Sequence, residues 1–261
     1  MGSMPATLKG KLMLLHFSTW QEVEGYLKDH KGIVIPIGST EQHGPTGLIG
    51  TDSLCPEIIA LHAAKDADDV LIGPTFNVGN AQHHMGFTGS MTLRPSTMMA
   101  VVQDWVTSLR HHGFERIYFL NGHGGNNHTM RAAFAEIYAA RSLEDKGANE
   151  PQVKLGMANW WELEGIFKLC KDLFPTGHGA HATPSEIAVT QFAYPETVKD
   201  APVSPKIAPL GPVRDAEDYR SRFPDGRMGS DPTLATPELG RQIVEAASAA
   251  FLRDFKKFMA A

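Results

Sequence analysis

Apolar residues concentrate in four short runs, at 32–38, 70–76, 117–120 and 153–159, that read as buried strands. Between most of them the spacing turns helical. Met98, Val101, Val102, Trp105 and Leu109 share one face of a helix predicted over 96–112 and ended by Gly113, and a second helix is predicted over 126–141. His111 and His112 fall in the last turn of the first, where they read as partners of the helix dipole rather than as ligands. The polar stretch 142–152 reads as a loop. Residues 195–237 are dense in proline and glycine with poor periodicity, which predicts an extended surface segment able to reach a neighbouring subunit. A long terminal helix follows, with Thr236 as its cap, Pro237 in its first position, and Leu239, Ile243, Val244, Ala247 and Phe251 as its apolar stripe. Strands alternating with helices predict an α/β fold: a mostly parallel central sheet covered on both faces, with any ligand site at the carboxyl ends of the strands.

Composition narrows the function classes. The chain of 261 residues is 42% hydrophobic and 20% charged, with a formal net charge of −5 and no basic cluster, which argues against nucleic acid as a partner. No apolar run approaches the roughly 20 residues needed to span a bilayer, and no signal-peptide pattern opens the chain, so a cytoplasmic protein with no membrane partner is expected. Residues 1–4, MGSM, read as a cloning remnant ahead of a second start methionine, which leaves 5–261 as one expected domain. Cys55 and Cys170 make no disulfide framework and read as buried free thiols.

The chemistry gathers at the predicted strand ends. After the first strand comes Ser39-Thr40-Glu41-Gln42-His43-Gly44; residues two apart in extended chain project to one side, so Glu41 and His43 can face one site, and Asp52 follows a glycine- and proline-containing turn. The third strand leads into NGHGGNN, which carries His123 on a glycine-rich turn, and HGAHATPSE brings His178, His181 and Glu186 later. Each has an ordinary structural reading as well. Asp52 beside Thr51 can cap a helix beginning near Pro56, Thr183 to Glu186 fits a capping box, and His43 can be a hydrogen-bonded turn histidine. The turn at 121–127 can hold a phosphate on its backbone N–H groups, but it lacks the third glycine of a dinucleotide fingerprint and the lysine of a P-loop. Carboxylates and imidazoles coinciding at several strand ends are the mixed O and N donors that Zn²⁺ or Mn²⁺ takes, with Fe²⁺ admissible, and five such groups suit two ions better than one.

At these residues the sequence resembles the creatininase (creatinine amidohydrolase) family: GSTEQHG, GTDS and NGHGGN stand in the family's order, HHMGFTGSMTL at 83–93 is similar to its His-x-x-Phe-Pro-Gly-Thr stretch, and DPTLATPELG resembles the start of its last helix. The resemblance implies a three-layer α/β/α sandwich, a dinuclear metal centre and a homo-oligomer, commonly a hexamer. It implies Glu41 and His123 on one ion, His43 on the other, Asp52 bridging, and His181 as the acid/base histidine. Two departures stand out. Gly124 and Gly125 replace the tyrosine and ligating glutamate that follow Asn-Gly-His in creatininase, so Glu186 is expected to supply the missing carboxylate; and His181-Ala182-Thr183-Pro184-Ser185-Glu186 lacks the inner Gly-Glu of the family's later motif, which speaks against creatinine itself as the substrate. His84, His178, Trp160 and Trp161 are expected to line the pocket of a small-molecule substrate, with His83 facing solvent. The implied activity is hydrolysis of a small cyclic amide or N-formyl compound. The alternatives are ring opening of a cyclic ketone, or a non-catalytic binding protein on the same fold.

Overall fold

Alternation along two central strands sorts the core into two halves. In β2 (Gly32–Ile37) the side chains of Ile33, Ile35 and Ile37 enter one apolar cluster and Val34 enters another; in β4 (Arg116–Asn121) Ile117 and Phe119 join the first, Tyr118 and Leu120 the second. Both faces of the sheet must therefore be covered, and both are. The structure, a computed structural model, describes residues 12–65, 67, 69–143 and 152–261. Its sheet has the order β1-β3-β2-β4-β5, all neighbours parallel, with β1 at Met13–Leu14, β3 at Leu71–Ile72 and β5 at Lys154–Asn159.

The first face packs against α1 (Trp20–Asp29), α3 (Pro95–His111) and α4 (Asn127–Leu143), through Tyr26, Met98, Val102, Val106, Met130 and Ala133. The second carries α2 (Thr51–Ala64), α5 (Ile166–Leu173), α6 (Pro184–Ala193) and α8 (Pro237–Ala260). Each wholly buried isoleucine of β2 contributes about 1.5–3 kcal/mol by leaving water. The terminal helix forms as expected: Thr236 accepts from the Leu239 N–H, Pro237 occupies the first turn, and Ile243, Val244, Ala247 and Phe251 are buried.

Several expectations change. The edge strand β1 is too short for a periodicity signal, and the run at 70–76 keeps strand pairing only at Leu71 and Ile72, with a further bridge at Phe76. α2 begins at Thr51 rather than near Pro56, with Gly50 as its cap, so Asp52 sits inside the first turn and caps nothing. The cloning remnant and most of the expected 142–152 loop lie outside the described residues; Ser142 and Leu143 end α4.

The largest correction concerns the later part of 195–237: residues 195–218 stay mostly at the surface, as expected of an irregular segment, but 223–232 turn inward. The segment contains α7 (Ala216–Arg222) and buries Ala208, Tyr219, Phe223, Arg227, Ser230 and Asp231. Arg227 organises it: its guanidinium donates to the carbonyls of Pro205, Lys206 and Ser230 and pairs with Asp225 at 2.8 Å. One fully buried arginine with its fork of donors satisfied holds irregular backbone that no ladder or helix supports, which is why hydrophobic period carried no warning.

Candidate metal centre

Four elements deliver donors to the carboxyl end of the sheet. Glu41 and His43 follow β2, His123 follows β4, Asp52 opens α2, and Glu186 lies in the first turn of α6. α2 approaches unusually closely because Gly38 and Gly122 stand where β2 and β4 end: a Cβ at these positions would meet the Asp52 carbonyl oxygen at 2.1 and 1.9 Å. Only glycine leaves room for the backbone that aims Asp52 between the two strands.

Asp52 joins two histidines through different oxygens. Its Oδ1 is 3.0 Å from His43 Nε2 and its Oδ2 is 2.7 Å from His123 Nδ1. The far nitrogen of each ring is tied to backbone: His43 Nδ1 donates to the Glu41 carbonyl at 3.1 Å, and His123 Nε2 to the Asn80 carbonyl at 2.9 Å. Those bonds fix the tautomers so that His43 Nε2 and His123 Nδ1 turn their lone pairs inward, as metal-ligating imidazoles do. Glu41 Oε2 lies 3.4 Å from His123 Nε2 and accepts from Ser39 Oγ at 2.9 Å. Glu186 divides its carboxylate: Oε1 accepts the Thr183 N–H of a capping box while Oε2 faces His43 Nε2 at 3.9 Å. The cap and the candidate ligand are one residue using two oxygens.

These residues form donor sets compact enough for a cation: Glu41, Asp52 and His123; His43, Asp52 and Glu186; and Glu41, His43 and His181, with donor atoms within 4.8 Å of one another in each. The first two share Asp52. Glu41 Oε1 and Asp52 Oδ2 are buried without a hydrogen bond, although His84 Nε2 and His123 Nδ1 stand 3.0 and 2.7 Å away, out of line. Buried carboxylate oxygens with no aligned donor are costly, and the donor chemistry fits one or two divalent ions.

Without a cation, protons balance the charge. Burial pushes Glu41 up and raises Glu186 to about 7. Burial acts against the charge on Asp52 too, but the adjoining His43 and His123 hold its carboxyl well below the usual range. Burial lowers both of those histidines, and the carboxylates outweigh it: chiefly Asp52 raises His43 to about 10, and Glu41 with Asp52 raises His123 to about 9. His84, buried and near both, falls to about 3, and His181 is also pushed well down by burial. A proton and a metal ion would therefore compete for the same two inward nitrogens, His43 Nε2 and His123 Nδ1.

A family model described as Creatininase: Creatinine amidohydrolase matches residues 16–255. The chain belongs to the creatininase family. It is 27% identical over 223 residues to a mycofactocin precursor peptide peptidase of Mycobacterium ulcerans, covering 81% of this chain and 79% of that one. It is 26% identical over 190 residues to a creatinine amidohydrolase of Pseudomonas putida, covering 69% and 71%. A shorter match to the Mycolicibacterium smegmatis peptidase, 30% identical over 108 residues, spans 43% of that protein. The fold is that of a solved mutant creatininase complexed with creatine, with a TM-score of 0.82 at 23% identity over 95% of this chain and 98% of that one.

In this creatininase-family chain the donors adjoin a cavity of about 480 Å³. His84, His178, Trp160 and Trp161 are among the residues that line it; Trp160 is buried in the core and Trp161 only partly so. His178 Nε2 is 2.9 Å from Ser185 Oγ on the same wall. His83 is half-buried rather than freely exposed: it lines the cavity with its ring 4.2 Å from that of His84, which the short 3-10 turn at Gln82–His84 buries fully. His181 is brought in by Ala182, whose φ of 53° is left-handed and costs a non-glycine residue about 1–2 kcal/mol. Its Nδ1 lies 3.7 Å from Glu41 Oε1, near enough to serve as a donor as well as a base. Sequence reasoning missed Tyr219 and Met228, which close the cavity from the irregular 205–231 segment, and Phe167 on α5. It also passed over Gln42, whose position between Glu41 and His43 was a local signal. Cys55 and Cys170 are free and buried, and no helix among the described residues is long and apolar enough to cross a membrane.

Proposed function

We propose that this chain is a divalent-metal-dependent hydrolase that adds water to the carbonyl carbon of a small cyclic amide or N-formyl compound. The observation that carries the reading is Asp52, whose two oxygens meet His43 and His123 separately, with Glu186 beside the first and Glu41 beside the second. In this reading Glu41, Asp52 and His123 hold one ion, and His43, Asp52 and Glu186 hold a second. Two such ions, Zn²⁺ or Mn²⁺, supply an acidified water and a polarised carbonyl oxygen.

The chain's own residues do the rest. His181 is neutral near pH 7, because burial disfavours its charged form, and its Nδ1 faces the Glu41 side of the centre, from where it can take a proton and pass it to the departing nitrogen. Trp161 and His178 form the wall against which a flat substrate packs, with Trp160 buried behind Trp161 at a ring separation of 6.0 Å. His84 has Nδ1 occupied by Gln42 and Nε2 facing Glu41 at 3.0 Å, so both ring nitrogens are turned to the chain rather than free for substrate. A second reading, hydrolysis of a peptide amide, is favoured by cavity size: about 480 Å³ falls within the roughly 300–1,000 Å³ of sites that enclose drug-sized ligands, more than one small ring requires.

Metal content per chain, measured by elemental analysis after reconstitution with Zn²⁺ or Mn²⁺, tests the centre. Hydrolysis of matched cyclic amides, formamides, short peptides and cyclic ketones then tests the substrate class. A folded protein that takes up no ion at all overturns the metal-dependent reading.

A further inference from the structure

Gln42 sits at the junction of three cavity-lining segments, with its side chain buried between His84, His181 and Gly226. The orientation of its amide is determined. Oε1 accepts the Gly44 N–H at 2.8 Å, and Nε2 lies 2.9 Å from the Gly226 carbonyl; the opposite orientation would set donor against donor and oxygen against oxygen. One Nε2 proton is therefore committed to Gly226, and one remains. Two ring nitrogens stand within reach of it, His84 Nδ1 at 3.0 Å and His181 Nε2 at 2.9 Å, both nearer than Tyr219 Oη at 3.4 Å, whose own proton goes to the Gly226 carbonyl.

The backbone resolves the choice. His181 Nε2 is 2.7 Å from the Gln42 carbonyl oxygen, a contact that requires the proton on the ring. His181 Nε2 is then a donor and cannot accept the amide proton, which goes to His84 Nδ1. Giving that proton to His181 instead would place two lone pairs together at 2.7 Å and leave His84 Nδ1 facing the amide without a partner. With Nδ1 accepting, neutral His84 carries its proton on Nε2, 3.0 Å from Glu41 Oε1.

We propose that Gln42 is a positioning residue: its side-chain amide holds His84 as the Nε2–H tautomer facing Glu41, while its backbone carbonyl holds His181 as the Nε2–H tautomer with the Nδ1 lone pair turned to the centre. The same amide is anchored through the Gly226 carbonyl, which also accepts from Tyr219 Oη at 2.8 Å, so the 205–231 segment is linked through Gln42 to the His84 ring that faces Glu41. The tautomer assignment stands on these contacts alone; its value for catalysis rests on Glu41 being a metal ligand.

Imidazole nitrogen NMR of ¹⁵N-histidine-labelled protein, metal-free and after zinc addition, reads each proton position directly. His84 and His181 are both expected protonated at Nε2 alone. Gln42→Glu keeps the shape and, above the pH at which the new carboxyl ionises, can only accept, so there the His84 proton is expected to move to Nδ1. Gln42→Leu is expected to lose the preference at His84, while His181 keeps its tautomer in both variants because its partner is backbone. His84 protonated at Nδ1 in the parent, or an unchanged His84 signature in either folded variant, overturns the proposal. Failure to bind zinc with the tautomers as described would overturn the metal reading and leave the positioning role of Gln42 in place.

Discussion

Asp52→Asn keeps the shape of the side chain and removes the charge shared by the two candidate ion sites. In the parent, Asp52 is buried against His43 and His123 at 3.0 and 2.7 Å. With a neutral amide in its place, both donor sets lose their common carboxylate, and an amide nitrogen occupies one of its two positions. The expected loss of affinity exceeds the 10–100-fold typical of outer-shell partners, and metal content falls from near two ions per chain to one or none. In the metal-free protein the change leaves two buried imidazoles without their nearest counter-charge. Breaking a buried pair costs about 3–5 kcal/mol, and deprotonation of the rings sets a ceiling on that cost. At about 2–4 °C per kcal/mol for a chain of this size, Tm drops by roughly 6–20 °C. Elemental analysis beside thermal melts, with and without metal, measures both. An Asp52→Asn protein that retains two ions and melts within about 2 °C of the parent refutes the shared-carboxylate reasoning.

Glu186 allows its two roles to be separated: Glu186→Gln keeps an oxygen for the Thr183 N–H and removes the charge facing His43, so metal content falls while the metal-free Tm moves by less than about 2 °C, whereas Glu186→Ala loses the cap as well, at about 1 kcal/mol. Equal melts for the two variants would show that the cap contributes nothing. Gly122→Ala drives a methyl into the Asp52 carbonyl and is expected to cost on the order of 1–3 kcal/mol and to weaken metal binding without altering any donor; unchanged melting and metal content would mean that α2 has slack. Metal affinity rises with pH between about 7 and 10, because His43 and His123, held up at about 10 and 9, must lose protons to ligate, and calorimetry in buffers of different ionisation enthalpy should detect the protons released. For the metal-free protein, the raised histidines contribute stability fully present below about 6.5 and lost as pH climbs through 9–10, while depressed Asp52 contributes stability lost in acid, below about 4. Melts that keep rising above pH 10 would contradict that assignment.

Strand runs, the terminal helix and the clustering of candidate donor residues were legible in the sequence because each depends on local pattern. Period two separates Ile33, Ile35 and Ile37 from Val34, and the same alternation aims Glu41 and His43 together once the strand ends. The capping box of Thr183 and Glu186 was readable from four consecutive residues, yet its compatibility with a ligand role was not, since that depends on where the second carboxylate oxygen points. The start of α2 at Thr51 was obscured because Pro56 imitates a helix opening, and Gly50 is a weak cap signal.

What the sequence determined by itself, then, was the layered parallel fold and which acidic and imidazole side chains gather at the strand ends, both written in periods of a few residues. The tertiary structure decided which oxygen meets which ring, that Asp52 stands between His43 and His123, and that residues 223–232 turn inward. Those outcomes depend on contacts across long stretches of chain: Gly122 admitting the backbone of Asp52, Arg227 gathering the carbonyls of Pro205, Lys206 and Ser230, and Gln42 reaching His84 and Gly226. Hydrogen bonds and close backbone approaches of that kind leave no periodic trace, because each is satisfied by a residue whose sequence distance is set only by the completed fold.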